Sequence, residues 1–326
     1  MAEQTQLIDA LWEAETAAVR PMFAGRPLFE IKYRGVALTT PFTELSTNMD
    51  EAAPRWENSP KDVEVAVISA QPVDCQPKRL VFQPAWIRVV SSVLDRYYID
   101  LSGTFDEYLK KFSAKERYNL LSRVKRFKEL SGGELKWGEY LGAAAMSEFY
   151  DVAAGVSRKS WHEINGGPGF SGTIPRQQAL ALAGEARARG YALFQHDSAV
   201  AFIYCRAFNT QMLVHTYTSY EEEFRRYAPG MVLNYLMLER LFAEGKYKYL
   251  DFSLGVLPYK AFFATHSKPC VEVLYFRRTI RNATLLAAQA ALASLSVAGG
   301  QWIDKVKLKR RLKALLMGEH ARPGQV

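Results

Sequence analysis

Side chains that can exchange protons are concentrated between residues 215 and 260. Asp251 interrupts an otherwise apolar segment, KYLDFSL, where a buried carboxylate must find a charged or hydrogen-bonding partner. Tyr259 and Lys260 follow it, and His215 lies in an apolar segment upstream. A carboxylate, a phenol, an amine and an imidazole are side chains that serve in general acid–base catalysis.

The same stretch contains a place where an anion could bind. Pro229 and Gly230 stand where an α-helix is predicted to begin, and a helix start offers unpaired N–H groups and a positive dipole end to a phosphate or pyrophosphate. Arg225 and Arg226 precede it and can pair with phosphates, although a merely solvated pair is equally compatible with their acidic neighbours. The predicted anion-binding residues are Arg225, Arg226, Ala228, Pro229, Gly230, Met231 and Lys260.

The elements around these residues follow a definite order. A strand is predicted over 211–217, a helix from residue 229 to Glu244, where Gly245 ends it, and a strand over 249–253. A strand, an anion-binding helix start, a second strand and a tyrosine form the order that an acyl-CoA transferase needs. The helix start would anchor the cofactor phosphates, and the second strand would end near the thioester.

The rest of the chain predicts a mixed α/β sheet. Helices are expected over 5–19, over 143–158, over 175–189 with Gly190 at the C-cap position, and from a capping box at Ser113 and Glu116 to about residue 130. Short strands are predicted at 28–33, 63–69, 86–90, 97–101, 135–140, 191–196, 200–207 and 271–277. A helix crossover between the strands at 211–217 and 249–253 makes the sheet mixed.

Two further groups could contact a substrate. Arg117, Asn119 and Arg123 share roughly one helix face and could bind a sugar phosphate or carboxylate, while a solvated basic face is the common alternative. A second group lies just before a glycine-rich loop, 165–172, that could form a lid or a substrate wall. Its members are Lys159, Trp161 and His162.

The charge is distributed unevenly. Lys and Arg exceed Asp and Glu by eight, and residues 277–326 alone hold ten basic and two acidic side chains, so the whole excess lies in this tail. The net charge therefore does not support a broad nucleic-acid-binding face on the rest of the chain. Residues 304–318 alternate apolar and basic side chains, which fits a helix on an anionic membrane surface or one packed on its own domain. Three separated cysteines and five scattered histidines predict no metal site and a reduced, cytoplasmic protein.

Several segments resemble the CelD-type acetyltransferases, a FemAB-like branch of the GNAT superfamily associated with bacterial polysaccharide biosynthesis. The segments are PG-x-x-L at the helix start, LDFSLGVLPYK, FSAKERYNLLSRVKRF, SRKSWHE and PCVEVLYFRRTIRN. The resemblance implies a GNAT acyltransferase fold with two tandem GNAT-like halves, 1–132 and 133–282, followed by a basic tail, 283–326. The chain departs from the family at one point, because it lacks the usual Q/R-x-x-G-x-G/A phosphate signature.

These observations predict an acyl-CoA-dependent N-acyltransferase that uses acetyl-CoA or another acyl-CoA and no metal. The acceptor would be an amino group of a sugar or cell-envelope precursor, attacking the thioester directly because no nucleophile motif is visible. Asp251 would orient or deprotonate the amine, Tyr259 would protonate the leaving thiolate, and His215 is a further proton-transfer candidate; each has a structural alternative in a salt bridge, packing or a hydrogen bond. Two other functions stay open: a FemAB-like transfer from aminoacyl-tRNA, and a non-catalytic accessory role in polysaccharide synthesis, at the inner membrane.

Overall fold

The protein has a mixed α/β fold with a large mixed sheet. The structure, a computed structural model, describes residues 12–19, 22–23, 26–27, 30–38, 42–54, 63–208, 210–253, 255 and 257–305. Among these residues, no helix combines the length and the apolar character needed to span a membrane. Most of residues 304–318, the predicted membrane-contacting segment, lie outside the described part of the chain.

The strands and helices are numbered here in chain order. The described strands are β1 (Trp12–Val19), β2 (Met22–Phe23), β3 (Arg26–Pro27), β4 (Ile31–Leu38), β5 (Val65–Pro72), β6 (Leu80–Phe82), β7 (Trp86–Asp100), β8 (Lys136–Leu141), β9 (Ala188–Gln195), β10 (Ser198–Ala207), β11 (Met212–Tyr220), β12 (Tyr249–Asp251) and β13 (His266–Arg277). The described α-helices are α1 (Phe105–Leu109), α2 (Ala114–Leu130), α3 (Gly142–Arg158), α4 (Trp161–Ile164), α5 (Phe170–Thr173), α6 (Arg176–Gly184), α7 (Pro229–Glu244), α8 (Pro258–Phe263) and α9 (Ile280–Lys305). Short 3-10 turns occur at Phe42–Glu44 and Glu222–Tyr227.

The described chain divides into two compact units. The first is drawn from residues 1–39, 46–93 and 271–326, and the second from 40–45 and 94–270. Residue 132, where the sequence predicts the end of the first GNAT-like half, lies inside the second unit. The predicted division concerns repeated halves rather than compact units, and it stays a prediction.

The first unit contains strands in the order β1, β4, β5 and β13. β1 and β4 are antiparallel, and β4 and β5 are parallel. Tyr33, Val65 and Phe276 belong to the core of this unit. The buried Arg88 binds Asp50 at 2.9 Å, and the hydroxyl of Tyr275 donates to the carbonyl of Met49, so the turn near residue 50 is fixed by side chains from two strands.

The second unit carries the residues that the sequence singles out. Its strands follow the order β7, β12, β11, β10, β9 and β8, with β11 and β12 parallel and the other neighbours antiparallel. Alternate residues of β10 face opposite layers, as the period of a strand requires. Ile203 and Cys205 pack in the core that contains α2 and α7, and Phe202 and Tyr204 pack against α3.

Local signals predicted several of these elements correctly. Ser113 caps α2, and its hydroxyl accepts from the backbone N–H of Glu116, whose carboxylate accepts from the backbone N–H of Ser113 in return. α7 begins at Pro229 and ends before Gly245, which takes a left-handed conformation with φ 60°. The parallel β11–α7–β12 crossover confirms the predicted mixed sheet.

Three predictions about elements were wrong. The helix expected over 5–19 is a strand from Trp12 to Val19, paired with β4, while residues 5–11 lie outside the described chain. The two strands expected at 86–90 and 97–101 are one continuous strand, β7. The helix expected over 175–189 ends at Gly184, and Ala186 turns the chain with φ 56° into β9.

Gly190 lies inside β9 and does not end a helix. A Cβ atom at this position would overlap the ring of Phe149 from α3, so glycine permits the close contact of strand and helix. The neighbouring Arg189 is buried and binds Glu244 at the end of α7 at 2.7 Å and Glu139 in β8 at 3.3 Å. This ion-pair network explains why residues that read as a helical run extend along the sheet instead.

Candidate active site

A gap opens between the two parallel strands β11 and β12. Their register joins Met212 to Tyr249, Leu213 to Leu250 and Val214 to Asp251, and β12 then ends while β11 continues to Tyr220. The part of β11 from His215 onward therefore presents one edge that β12 does not cover. Such an edge can pair with an extended ligand through main-chain hydrogen bonds.

An irregularity in β11 lies at the start of this gap. Tyr204 of β10 pairs with Tyr217, whereas its neighbour Cys205 pairs with His215, so Thr216 is the extra residue of a β-bulge. A bulge bends its strand and re-aims the adjacent groups. In β11 it coincides with the point at which the strand separates from β12.

The start of α7 follows the free end of β11. The 3-10 turn Glu222–Tyr227 leads into Ala228, which has φ 50°, and Pro229 is the first helical residue. Ala228 has no polar side chain with which to cap the helix, and its carbonyl accepts from the N–H of Met231 at 2.9 Å. The helix start is thus placed as the sequence predicts, beyond the open end of the gap.

Arginines lie around Tyr227 beside this helix start. The guanidinium carbon of Arg226 lies 4.8 Å from the centre of the Tyr227 ring, and that of Arg126 in α2 lies 6.0 Å from the same ring. Arg225 binds Glu222 at 3.1 Å. Arg225 and Arg226 were predicted from the sequence and Arg126 was not, although its position on the same helix face as Arg123 was the available signal.

Asp251 is fully buried and is bound by Arg96 of β7. The Nε atom of Arg96 lies 3.0 and 2.9 Å from the two carboxylate oxygens, and one of its terminal nitrogens makes a further bond. The backbone N–H of Ser253 donates to the same carboxylate at 3.0 Å. The guanidinium of Arg96 also lies 5.3 Å from the ring of Phe42. The salt bridge that the sequence analysis weighed as an alternative for Asp251 is therefore present.

Lys260 lies close to this ion pair rather than in solvent. It is only 5% exposed. Burial lowers the pKa of Lys260 to about 8, with Arg96 acting in the same direction and Asp251 in the opposite one. Gly255, with φ 98°, brings the backbone close to this amine: a Cβ at that position would lie 3.8 Å from its Nζ. An amine that loses its proton near neutral pH can accept one from a substrate.

His215 is buried at the start of the gap. Burial lowers its pKa to about 3, and the charge of Lys260 acts in the same direction, so the imidazole is neutral at physiological pH. Among the described residues, its Nε2 atom has no hydrogen-bond partner. The ring lies 5.5 Å from that of Phe252 and 6.0 Å from that of Tyr259.

Tyr259 completes this group from the first turn of α8. Burial raises its pKa above the usual value of a phenol, so it keeps its proton at physiological pH. Its ring packs edge-on to Phe252 at 5.9 Å. The structure thus brings together the three residues that the sequence predicted to be catalytic, Asp251, Tyr259 and His215, and adds Lys260 and Arg96.

The segment predicted to contact the acceptor is fixed near the far end of β11. Lys159 binds the buried Glu221 at 2.9 Å, and the backbone N–H of Glu222 donates to the carbonyl of Lys159. Trp161 is 59% exposed. A Cβ at Gly167 would overlap the ring of His162, so the glycine-rich loop folds back on α4.

The glycine-rich loop is anchored rather than free. Its residue Phe170 is buried among aromatic rings, and the N–H of Phe170 donates to Ser157, whose hydroxyl donates to Glu163. The hydroxyl of Tyr217 donates to the carbonyl of Pro168 at 3.3 Å. These contacts fit a wall of a site better than a mobile lid.

The predicted group on α2 points away from the buried core. Asn119 and Arg123 are exposed and Arg117 is half-buried, whereas Leu120 and Phe127 form the buried face of the helix. Among the described residues, no group of His, Cys, Asp or Glu side chains could hold a metal ion.

Part of the chain, which includes the candidate site, matches a protein family. A family model described as an acetyltransferase (GNAT) domain matches residues 114–261. Residues 114–261 are thus similar to a GNAT acetyltransferase domain. The matched stretch contains the gap, the start of α7, Asp251 and Lys260, and the match supports an N-acyltransferase. A search of curated protein sequences found no significant match.

Several solved structures are similar to this chain at low sequence identity. FemX is 11% identical, with a TM-score of 0.54 over 87% of this chain and 92% of FemX. The C-terminal domain of a putative lysylphosphatidylglycerol synthetase from Agrobacterium fabrum is 11% identical, with a TM-score of 0.47 over 71% of this chain and 72% of that domain. A tandem GNAT protein from the clavulanic acid biosynthesis pathway is 10% identical, with a TM-score of 0.38 over 82% and 85% of the two chains.

Proposed function

We propose that this enzyme transfers an acyl group from acetyl-CoA or another acyl-CoA to an amine, by direct attack in a ternary complex. The observation that carries the proposal is the gap between β11 and β12, which has buried Lys260 and His215 and half-buried Tyr259 at one end and the start of α7 beyond the other. From His215 to Tyr220 the uncovered edge of β11 extends roughly 17 Å at the usual rise per residue. An extended cofactor arm would lie along it, with its phosphates toward α7 and its thioester toward Lys260.

The cofactor phosphates would be held by main-chain and side-chain donors together. Gly230 would offer its N–H group at the positive end of α7, and Pro229 sets the first turn of the helix. Met231 would line the same site, although its N–H already donates to the carbonyl of Ala228. Arg226 and Arg126, both beside Tyr227, would add charge, and Arg225 would join them from its pair with Glu222. The family's glycine signature is absent, and these arginines would take over part of its role.

The buried groups would divide the proton transfers among them. Lys260, with a pKa of about 8, would accept the proton of the acceptor amine, because the carboxylate of Asp251 is engaged by Arg96 and the imidazole of His215 is a far weaker base. Asp251 then orients the site, and neutral His215 would contact the reacting group as a hydrogen-bonding partner. Tyr259 would donate a proton to the leaving thiolate, and backbone N–H groups of β11 would stabilise the oxyanion.

The acceptor remains an amino group on a sugar or cell-envelope precursor, as the resemblance to polysaccharide-associated acetyltransferases implies. Lys159, Trp161 and His162 would form one wall of its site beside Glu221. Arg117, Asn119 and Arg123 would contact a phosphate or carboxylate of a larger acceptor. A location in the cytoplasm, with residues 304–318 touching the inner membrane, belongs to the same proposal.

Blocking the start of α7 tests the cofactor site. A Cβ at Gly230 meets only ordinary contact with Tyr220, so Gly230→Trp should fold and place its indole over the helix start. In isothermal titration, we expect acetyl-CoA to bind the variant at least about ten-fold more weakly than the wild type. A ten-fold change in Kd corresponds to about 1.4 kcal/mol of binding free energy. Gly172→Trp, at an exposed glycine with open space around it, is the control and should bind normally. Equal binding by all three proteins would contradict the proposed cofactor position.

A second candidate is transfer from an aminoacyl-tRNA. The fold similarity to FemX, which extends over 87% of this chain, favours considering it. Binding of charged tRNA would weaken steeply as salt rises, because many counterions are released, whereas binding of acyl-CoA would respond much less. Salt-sensitive binding of charged tRNA together with no binding of any acyl-CoA would replace the first candidate with the second.

A further inference from the structure

Two side chains form a clasp on the C-terminal end of α8: Tyr108 from α1 and Lys111 from the turn that follows α1. The ammonium of Lys111 donates to the carbonyls of Phe262 and Ala264, each at 2.6 Å. The hydroxyl of Tyr108 donates to the carbonyl between them, that of Phe263, at 2.7 Å. Three successive carbonyls at the C-terminus of α8 are therefore bound by two residues that lie close together in the sequence.

This clasp matters because α8 cannot fix its own orientation. The helix extends only from Pro258 to Phe263, and so short a helix is marginal without outside contacts. Its last carbonyls have no partners within the helix, and a positive charge is favourable at that end. Hydrogen bonds from a charged donor are also stronger than neutral ones, so Lys111 supplies the stronger part of the clasp.

Aromatic packing places the Lys111 ammonium at the same point. Its Nζ atom lies 4.5 Å from the centre of the Phe112 ring and 5.5 Å from that of Tyr108. The ring of Phe112 in turn contacts that of Phe262 at 4.8 Å. Charge, hydrogen bonds and ring contacts thus converge on the end of the helix whose first turn carries Tyr259 and Lys260.

We propose that Lys111 is a positioning residue that holds α8 so that the Lys260 amine stays buried beside Asp251 and Arg96. The proposal rests on the function assigned above to Lys260, although the clasp itself does not touch the gap or the start of α7. Lys111 lies outside the stretch that matches the acetyltransferase domain, since that match begins at residue 114. It acts through the backbone of α8 and makes no contact with substrate.

The experiment measures the burial of Lys260 without any substrate. Full-length wild type and Lys111→Met are treated with a trace amount of a small amine-acylating reagent, and the labelling of Lys260 is followed by mass spectrometry. Loss of the charged hydrogen bonds should let α8 open more often, and the labelling rate of Lys260 should rise at least about ten-fold. Lys110→Met removes the exposed neighbouring lysine and should leave the rate unchanged. Lys111→Arg, which keeps the charge and the donors, should restore most of the protection.

A second probe in the same samples distinguishes local opening of α8 from global unfolding. Cys205 is fully buried in the core of the second unit, so its reaction with a thiol reagent reports loss of the whole fold. Faster labelling of Lys260 with unchanged labelling of Cys205 supports the positioning role. Unchanged labelling of Lys260 in Lys111→Met, or an equal rise for both residues, overturns it. Failure of acyl-CoA binding in the earlier titration would refute the cofactor site and leave this result unaffected.

Discussion

Replacing Lys260 with Met is expected to lower kcat by about 100- to 10,000-fold, the usual contribution of a positioned general base. The KM for acyl-CoA should change little, because the phosphates would be held at α7, at the other end of the gap. Steady-state kinetics with the acceptor that supports turnover measure both constants. Lys248→Met is the matched control, because Lys248 is an exposed lysine just before β12. A variant that keeps wild-type kcat would remove Lys260 from the mechanism.

The pH dependence of kcat in the wild type and in Lys260→Met tests whether Lys260 acts as a base. Burial and Arg96 lower the pKa of Lys260 to about 8 while Asp251 opposes them, and neutral His215 and protonated Tyr259 complete its titratable surroundings. A base must be unprotonated, so wild-type kcat should rise with pH and level off above about 8. This rise should disappear in Lys260→Met. If kcat still rises with pH in Lys260→Met, the titrating group is the acceptor amine and not Lys260.

Replacing Asp251 with Asn is expected to destabilise the fold by about 3–5 kcal/mol, because the buried guanidinium of Arg96 would lose its counter-charge. Urea unfolding followed by tryptophan fluorescence measures the change. The double variant Arg96→Met, Asp251→Leu removes both charges and should lose much less stability than the single variant.

The control for this prediction is an exposed ion pair in the same unit. Lys136 and Asp197 lie 2.7 Å apart with most of both side chains in solvent. Asp197→Asn should therefore cost less than about 1 kcal/mol. If Asp251→Asn loses no more unfolding free energy than Asp197→Asn, the charge of Asp251 does not stabilise the fold through the buried guanidinium of Arg96.

Local signals in the sequence predicted the helix ends and the buried carboxylate near the candidate site. Pro229 and Gly245 mark the two ends of α7 by backbone preferences that act within a few residues, and the Ser113 capping box does the same for α2. The apolar run interrupted by Asp251 likewise predicted a buried carboxylate. These features require no knowledge of distant parts of the chain.

The partners of those residues could not be predicted, because they come from remote segments. Arg96 precedes Asp251 by 155 residues, and only the pairing of β7 with β12 brings them together. Arg126 reaches Tyr227 through the packing of α2 near the start of α7. The segment that forms β1 was read as a helix because its apolar spacing fits a helical face, and pairing with β4 outweighed that local preference.

The position of the cofactor is the central claim, and hydrogen–deuterium exchange tests it most directly. The backbone amides of residues 215–220 lie on the strand edge that β12 leaves uncovered, and those of Gly230 and Met231 lie at the start of α7. Adding acetyl-CoA should slow exchange in both segments, with little change in the strands of the first unit. Slower exchange confined to other segments, or no change at saturating acetyl-CoA, would contradict a cofactor site in the gap between β11 and β12.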